Sequence, residues 1–409
     1  MQHSKFDPVK FNAMVRGYNE SGRRVVFPEI SDYADFCDRY PITGRDDLHT
    51  ISEQLVEGRN LQDCYVISTS GTTGAPLVLI NRIWRDTSDG SYPKQFFDYL
   101  FENVFDPKDV VANLCFPGGL GLLYEGMSKV LEPMGITILP IGRLDSFNND
   151  RNHFEMFQRL GLNTLVGSPS SIAEFARTAH ALGVKLDICK LVFSAESFHR
   201  SKRDFVKNIW PEAQFFSLYG ATEFGLACIG TPSHAHGHHH LLEDWFLVET
   251  DMDGSLYVTD LKGPLIPIIR YRIGDRGSLT VGDDGTTQLV LGGRCDSAFN
   301  FAGALLKYDS ICERIRKAAI PIVARDAAVQ LILKTTENGK DLLSVVIDHD
   351  FVENDEIARG VWNAVHSIRD ISEDIARGVV ELRVHARSSL HITRRSKRPD
   401  IVDLREYQP

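Results

Sequence analysis

A chain of 409 residues exceeds a single comfortable core, so one large and one small domain are expected. Its composition, 43% hydrophobic, 24% charged and 10% aromatic, is that of a packed globular protein and excludes global disorder. The net charge of -10 at pH 7 lacks the positive field that broad nucleic-acid binding needs, and no apolar run approaches the ~20 residues that span a bilayer.

The first sixty or so residues read as a charged helical preface. Apolar strands then alternate with helices. Tyr65–Ile67 and Leu77–Ile80 flank a glycine turn, and strands follow at Val110–Cys115, Ile136–Leu139, Thr164–Val166, Leu191–Phe193 and Phe215–Leu218. Helices are expected at Ser171–Leu182 and His199–Trp210. This alternation implies α/β architecture, a mostly parallel sheet covered by helices. Past residue 240 short strands at Trp245–Glu249, Leu256–Thr259, Ile268–Tyr271 and Gln288–Leu291 are separated by Asp-Gly turns, which suggests a small barrel-like antiparallel section. Gly292-Gly293-Arg294 breaks that rhythm. Beyond it a compact α+β unit is expected, with helices at Ser310–Ala319 and Asn354–Arg369 and strands at Val329–Leu333, Leu342–Ile347 and Val379–His385. The domains are drawn as 1–292, a hinge at 293–297, and 298–409.

The segment Thr69-Ser70-Gly71-Thr72-Thr73-Gly74-Ala75-Pro76 places hydroxyls and glycines in a tight loop, where backbone N–H and hydroxyl groups can face phosphate oxygens. It lacks the spacing of a P-loop. Ser217-Leu218-Tyr219-Gly220-Ala221-Thr222-Glu223 follows an apolar run, at the strand end where open α/β sheets bind ligands. Further on stand Tyr271-Arg272-Ile273-Gly274-Asp275, Gly293-Arg294-Cys295-Asp296 and a basic tail, Thr393-Arg394-Arg395-Ser396-Lys397-Arg398. Taken alone each has a plain alternative: a surface loop, a turn, a linker, a solvated charge run.

Together these motifs resemble the acyl-adenylate-forming, AMP-binding superfamily, and most closely its phenylacetate–coenzyme A ligase branch. Phe116-Pro117-Gly118-Gly119-Leu120-Gly121, Gly167-Ser168-Pro169-Ser170, Ser194-Ala195-Glu196-Ser197 and His240-Leu241-Leu242-Glu243-Asp244 are similar to segments of that branch. The resemblance implies a large adenylation domain followed by a small mobile one. It implies ATP-dependent activation of a carboxylic acid, of the aromatic class, with release of pyrophosphate and transfer to coenzyme A. A carrier protein, an amine or a reductase are alternative acceptors, and a nucleotide-binding protein without turnover is a rival.

By the same resemblance Ser70, Gly71, Thr72, Thr73 and Gly74 hold the ATP phosphates, and Ala195, Glu196, Tyr219 and Gly220 line the adenine. Thr222 meets the α-phosphate, Glu223 holds Mg²⁺, Asp275 takes the ribose hydroxyls and Arg294 contacts ribose or phosphate. Asp296 is the hinge residue, Gly303 lies beside a thiol tunnel, and Lys397 is the catalytic lysine. Ala75 replaces a frequent lysine and Ser396 the usual glycine.

Cys228, His234, His236 and His240, within a cluster that also holds His238 and His239, carry zinc-ligand chemistry. A zinc site or a metal-binding interaction protein is one reading, and a solvated or packed histidine loop is the other. The seven cysteines form no Cys-x-x-Cys pair and the opening residues carry no apolar signal core. Reduced thiols in a cytoplasmic protein are expected. The expected partners are a small-molecule acid and, for one version of the second step, a carrier protein. Neither nucleic acid nor membrane is among them, and a homodimer is left open.

Overall fold

The structure, a computed structural model, describes the chain apart from residues 21–25, 58–60, 70–76, 84–90, 147–149, 264, 284, 296, 353–354, 393–397 and 406–409. The chain forms two compact units from interleaved segments. The first comprises Met1–Lys108, Pro117–Ile136 and Phe215–Asp296, and the second Asp109–Phe116, Thr137–Gln214 and Ser297–Pro409.

In the first unit, helix Pro8–Glu20 buries Phe11, Met14, Val15 and Tyr18, the i, i+3, i+4, i+7 stripe of an amphipathic helix. These side chains share a core with Phe36, Tyr40, Leu247 and Ile269. Helix Tyr33–Arg39 starts where the Asp32 carboxylate accepts from Asp35 N, 2.9 Å, satisfying one of its orphan donors. Strands Cys64–Ser68 and Val78–Arg82 pair antiparallel on either side of the hydroxyl- and glycine-rich motif. The larger sheet of this unit is antiparallel throughout. Its order runs Gln2–His3, Phe246–Thr250, Ser255–Asp260, Tyr271–Val281, Thr287–Arg294, His238–Leu241, Gly225–Gly230, Gln214–Ala221. The Asp253-Gly254 turn expected from the sequence joins the strands Phe246–Thr250 and Ser255–Asp260, with Gly254 at φ +78°.

The expected strand at Ile268–Tyr271 differs. Arg270 takes φ +47°, which interrupts extended backbone, and the strand runs from Tyr271 to Val281 instead. The reason is the buried Arg270 guanidinium. It donates to Tyr40 O at 2.9 Å and lies 3.1 Å from Glu249 Oε1, partners that a continued strand would not supply.

The second unit has two layers. Strands Val110–Asn113, Thr137–Leu139, Thr164–Gly167 and Lys190–Phe193 are parallel. Thr164–Gly167 is buried along its whole length, as a strand covered on both faces should be. Helices Arg151–Arg159, Pro169–Ala181 and Arg200–Ile209 belong to this layer. The second of them begins as Ser168-Pro169 predicts, with Ser168 Oγ accepting from Ser171 N at 3.1 Å.

The other layer is a four-stranded sheet ordered Val380–His385, Asp341–Ile347, Val329–Thr335, Ile401–Asp403. Helices Tyr308–Arg316, Glu356–His366 and Arg369–Ala376 supply Ile311, Ile315, Val361, Val365 and Ile371 to its core. The helix expected over 354–369 is therefore two. Ser367 Oγ donates to Ala364 O, 2.7 Å, a side-chain bond of the kind that competes with helix continuation. The hairpin Ala298–Phe301 with Ala304–Lys307 and the strand Ile401–Asp403 carry no strong sequence signal.

A polar stripe on helix Pro169–Ala181 forms part of the contact between the two layers. Ser170, Glu174 and Arg177 recur at i, i+4, i+7 on a helix that otherwise buries Ile172, Ala173, Phe175 and Ala176. Ser170 Oγ donates to Asp341 Oδ2 at 3.2 Å, Arg377 pairs with Glu174, and Arg177 Nη1 donates to Asn338 O at 3.3 Å. Among the described residues no helix is long and apolar enough to cross a membrane. The α/β class expected from the sequence is the observed one.

Candidate active site

Strand Gln214–Ala221 carries the second motif toward a tight turn with Gly225–Gly230, and Thr222 and Glu223 occupy that turn. Gly220 is required there, because a Cβ would lie 2.1 Å from Gly225 O. Two hydrogen-bonded groups flank the turn within the first unit. Tyr219 Oη donates to Asp275 Oδ2 at 2.8 Å, and Arg294 Nη1 donates to Asp275 Oδ1 at 2.9 Å. Asp275 and Arg294 face each other across adjacent strands, so the ladder register itself sets this ion pair. Tyr271 Oη donates to Glu223 Oε1 at 2.9 Å.

Burial first, and then the Asp275 charge, raise the Tyr219 phenol well above its ordinary range. Burial and the Glu223 charge do the same to Tyr271. Both tyrosines therefore remain protonated donors at neutral pH, and each orients a carboxylate. A carboxylate has about four acceptor positions, so Asp275 keeps acceptor capacity beyond the bonds from Tyr219 and Arg294. Glu223 presents one carboxylate on an accessible turn. That donor set fits Mg²⁺, which takes one or two carboxylates and completes its shell with water and substrate phosphates.

Ser70, Gly71, Thr72, Thr73 and Gly74 lie outside the described residues, as do Asp296 and Lys397. The residues that flank this motif are described. Thr69 N donates to Leu77 O, and Leu77 N donates to Thr69 Oγ1, each at 3.0 Å. Arg45 Nη2 donates to the same hydroxyl at 2.8 Å. Sequence reading passed over Arg45, whose only signal is a basic residue opening a helix.

Ala195 and Glu196 belong to the second unit. Ala195 holds φ +72°, a strained conformation for a residue with a Cβ. The Glu196 carboxylate turns inward: Oε1 accepts from Ser170 N at 2.7 Å, and Oε2 lies 4.0 Å from Lys202 Nζ. Gly303, at φ +88°, sits where a Cβ would approach Ser168 Oγ to 3.6 Å.

The zinc reading is corrected. Among the described residues no group of three or more histidine, cysteine, aspartate or glutamate side chains could hold a metal, so Cys228, His234, His236 and His240 do not form a site. Strand alternation sends neighbouring histidines to opposite faces. His240 stacks on Tyr99 with ring centroids 4.9 Å apart, His234 Nδ1 accepts from Thr231 N at 3.0 Å, and Cys228 is fully buried with its thiol pushed up by burial.

His239 is the buried member of the cluster. Its Nδ1 bonds Gly237 O at 3.0 Å, which fixes that nitrogen as donor and leaves Nε2 to accept from Ser217 Oγ at 2.9 Å. Burial pushes its pKa down to about 4. The unfolded imidazole protonates near 6.5, so the neutral folded form gives stability that is complete above that pH and drains away as pH falls toward 4. The span corresponds to ~3 kcal/mol. His239→Gln removes the titration. The stability advantage of the native chain over this variant should shrink between about pH 7.5 and about pH 4.5 in urea denaturation, and an unchanged difference would contradict the assignment.

No family model matches the chain. Indoleacetate–lysine synthetase of Pseudomonas savastanoi is 28% identical over 382 residues, covering 91% of this chain and 92% of that protein. A solved 2-hydroxyisobutyryl-CoA ligase in complex with 2-HIB-AMP and CoA superposes with a TM-score of 0.65 at 16% identity, over 96% of this chain and 86% of its own. The amide bond synthetase McbA from Marinactinospora thermotolerans gives 0.50 at 15% identity, over 82% and 67%. The solved structures speak for the fold, and the near-full-length relative for the sequence. With the motifs on strand Gln214–Ala221 and its neighbours, they support the resemblance of this chain to the acyl-adenylate-forming, AMP-binding superfamily.

Proposed function

We propose that the chain activates an aryl or arylacetic acid with ATP and passes the acyl group to an amine. The observation that carries the first half is Asp275, held between Tyr219 and Arg294 beside the turn that bears Thr222 and Glu223. A carboxylate so oriented is suited to the two hydroxyls of a ribose, and Tyr219 beside it to the face of an adenine.

In the first step a carboxylate oxygen of the acid attacks the α-phosphorus. The bond from that phosphorus to the bridging oxygen breaks, and pyrophosphate leaves. Little covalent work falls to the protein, whose part is positioning and charge stabilisation. Ser70 to Gly74 hold the phosphates, Thr222 donates to the α-phosphate, and Lys397 stands between two anions that repel. Mg²⁺, when bound at Glu223, supplies neutralisation of phosphate charge.

In the second step the amine nitrogen attacks the acyl carbon, AMP leaves, and the nitrogen loses a proton. The amine acceptor, rather than the thiol of coenzyme A, is favoured by the relative that matches almost the whole chain, an indoleacetate–lysine synthetase. The coenzyme A reading keeps one support, the ligase fold neighbour that holds CoA. Rotation of residues 298–409 about the 293–297 segment belongs to either version.

The test is pyrophosphate release with Mg-ATP and a panel of aryl and arylacetic acids, followed by product analysis with lysine or coenzyme A. Acid-dependent release with amide formed only in the lysine arm is expected. Thioester in the coenzyme A arm alone would overturn the amine acceptor. ATP binding with no release across the panel would overturn the ligase reading itself.

A further inference from the structure

Strand Ser255–Asp260 is buried along its whole length and ends on a carboxylate, Asp260, whose side chain is 1% exposed. A buried charge of that kind needs a cation and hydrogen bonds. Both come from two positions further on. Lys262 N donates to Asp260 Oδ1 at 2.8 Å, and Lys262 Nζ lies 2.7 Å from Asp260 Oδ2. The same ammonium makes two further contacts. It stands 3.7 Å from the centroid of the Phe246 ring and donates to Phe224 O at 3.1 Å. Phe224 meets that ring edge-on, with centroids 6.0 Å apart.

Phe224 directly follows Glu223 in the turn between strands Gln214–Ala221 and Gly225–Gly230. The sheet alone holds this turn loosely. The ladder register shifts between Tyr219 and Gly220, and the bond across the turn, from Phe224 N to Ala221 O, is 3.3 Å long. Lys262 adds a charge-assisted bond to the same residue, stronger than one between neutral groups. Glu223 is thus held twice. Tyr271 Oη donates to its carboxylate at 2.9 Å, and Lys262 fixes the backbone one residue on. All these groups lie within the first compact unit.

We propose that Lys262 is the positioning residue for the turn that carries Thr222 and Glu223. By tying Phe224 O to the Asp260 ion pair it fixes where the Glu223 carboxylate is presented to a divalent cation. This deepens the proposed function and rests on its reading of Glu223 as the Mg²⁺ carboxylate. Groups that hold a metal-ligating carboxylate from behind affect metal affinity almost as the ligand itself does.

The experiment measures nucleotide binding to the full chain with no acid present, so that nothing turns over. ATP is titrated calorimetrically over a series of Mg²⁺ concentrations, and adenosine is titrated alone. Lys262→Met keeps an unbranched side chain against Phe246 and removes the bond to Phe224 O. The Mg²⁺ concentration that gives half of the metal-dependent gain in ATP affinity should rise roughly 10-fold. Adenosine affinity reads Asp275 and Tyr219 on the strands rather than the turn, and should stay within about twofold of native. Lys262→Met also leaves Asp260 without its cation. Lys262→Met with Asp260→Asn leaves neither charge buried, and carries the test if the single variant does not fold. Added to Glu223→Gln, Lys262→Met should raise the Mg²⁺ demand no further, because the carboxylate it places is gone. Native Mg²⁺ demand in the Lys262 variants, a full further rise in the Glu223→Gln background, or an equal loss of adenosine affinity would overturn the positioning role and leave Glu223 in place. Native Mg²⁺ demand in Glu223→Gln alone would overturn the reading of Glu223, and this inference with it.

Discussion

Lys397→Ala should slow acid-dependent pyrophosphate exchange by roughly 10²–10³-fold while leaving the affinity for ATP almost unchanged. The acid and the α-phosphate are both anionic, and their approach is opposed until charge is placed between them. An ammonium that bridges them acts most strongly in the transition state, when the new bond shortens the distance, and so contributes to kcat more than to binding. Arginine is a poor replacement, because its planar fork differs from a compact point charge. Lys397→Arg should therefore recover little. Calorimetric titration of ATP against each variant, beside the exchange rate, separates the two effects. A basic tail that merely attracts nucleotide would lose affinity and rate together, which would remove Lys397 from the assigned role. Supplied acyl-adenylate should still react with amine in the variant, since that step has no second anion to bring in.

Much of the fold is legible because its signals are local. Ser168-Pro169 announces a helix start, Asp253-Gly254 a turn, and the alternation of apolar runs with helical stretches announces the α/β layer. The motifs that carry the family resemblance are legible for the same reason, each being contiguous. What the sequence does not announce is pairing at a distance. Asp275 meets Tyr219, 56 positions away, through the register of an antiparallel sheet, and Gln330 meets Pro399, 69 positions away, through a parallel one. Neither separation leaves a periodic trace. Where tertiary demand conflicts with local pattern, the pattern yields. The buried Arg270 guanidinium stops an apparent strand, and Ser367 divides an apparent helix. The histidine run misleads in the opposite way. Composition suggests a metal, but strand alternation scatters its members, and the buried one, His239, pairs with Ser217. A lone polar residue in an apolar strand, such as Gln330, is a signal that could have been read, since burial obliges it to bond.

Lys202→Met should destabilise the chain by ~3–5 kcal/mol, the range for removing one partner of a buried ion pair. Lys202 is 1% exposed, and its Nζ lies 2.7 Å from Asp341 Oδ2, 2.6 Å from Ser170 Oγ and 4.0 Å from Glu196 Oε2. Asp341 Oδ1 and Glu196 Oε2 have no hydrogen-bond partner among the described residues, and Lys202 acts on both carboxylates together with the buried Arg405. Removing it takes away the ammonium that contacts Asp341 directly. The pair as a whole is another matter, since its desolvation offsets much of its attraction. Lys202→Met combined with Asp341→Leu should therefore lose less than the sum of the single variants, and urea midpoints for the set measure that coupling directly. The location gives the result functional meaning. Ser170 and Glu196 belong to the layer of parallel strands, and Asp341 to the four-stranded sheet. A seam that holds buried charge separates at smaller cost in water than a wholly apolar one, which would suit the proposed rotation between two half-reactions. Simple additivity of the two losses would mean that the lysine and the aspartate stabilise their own layers independently. The seam would then have no claim to that role.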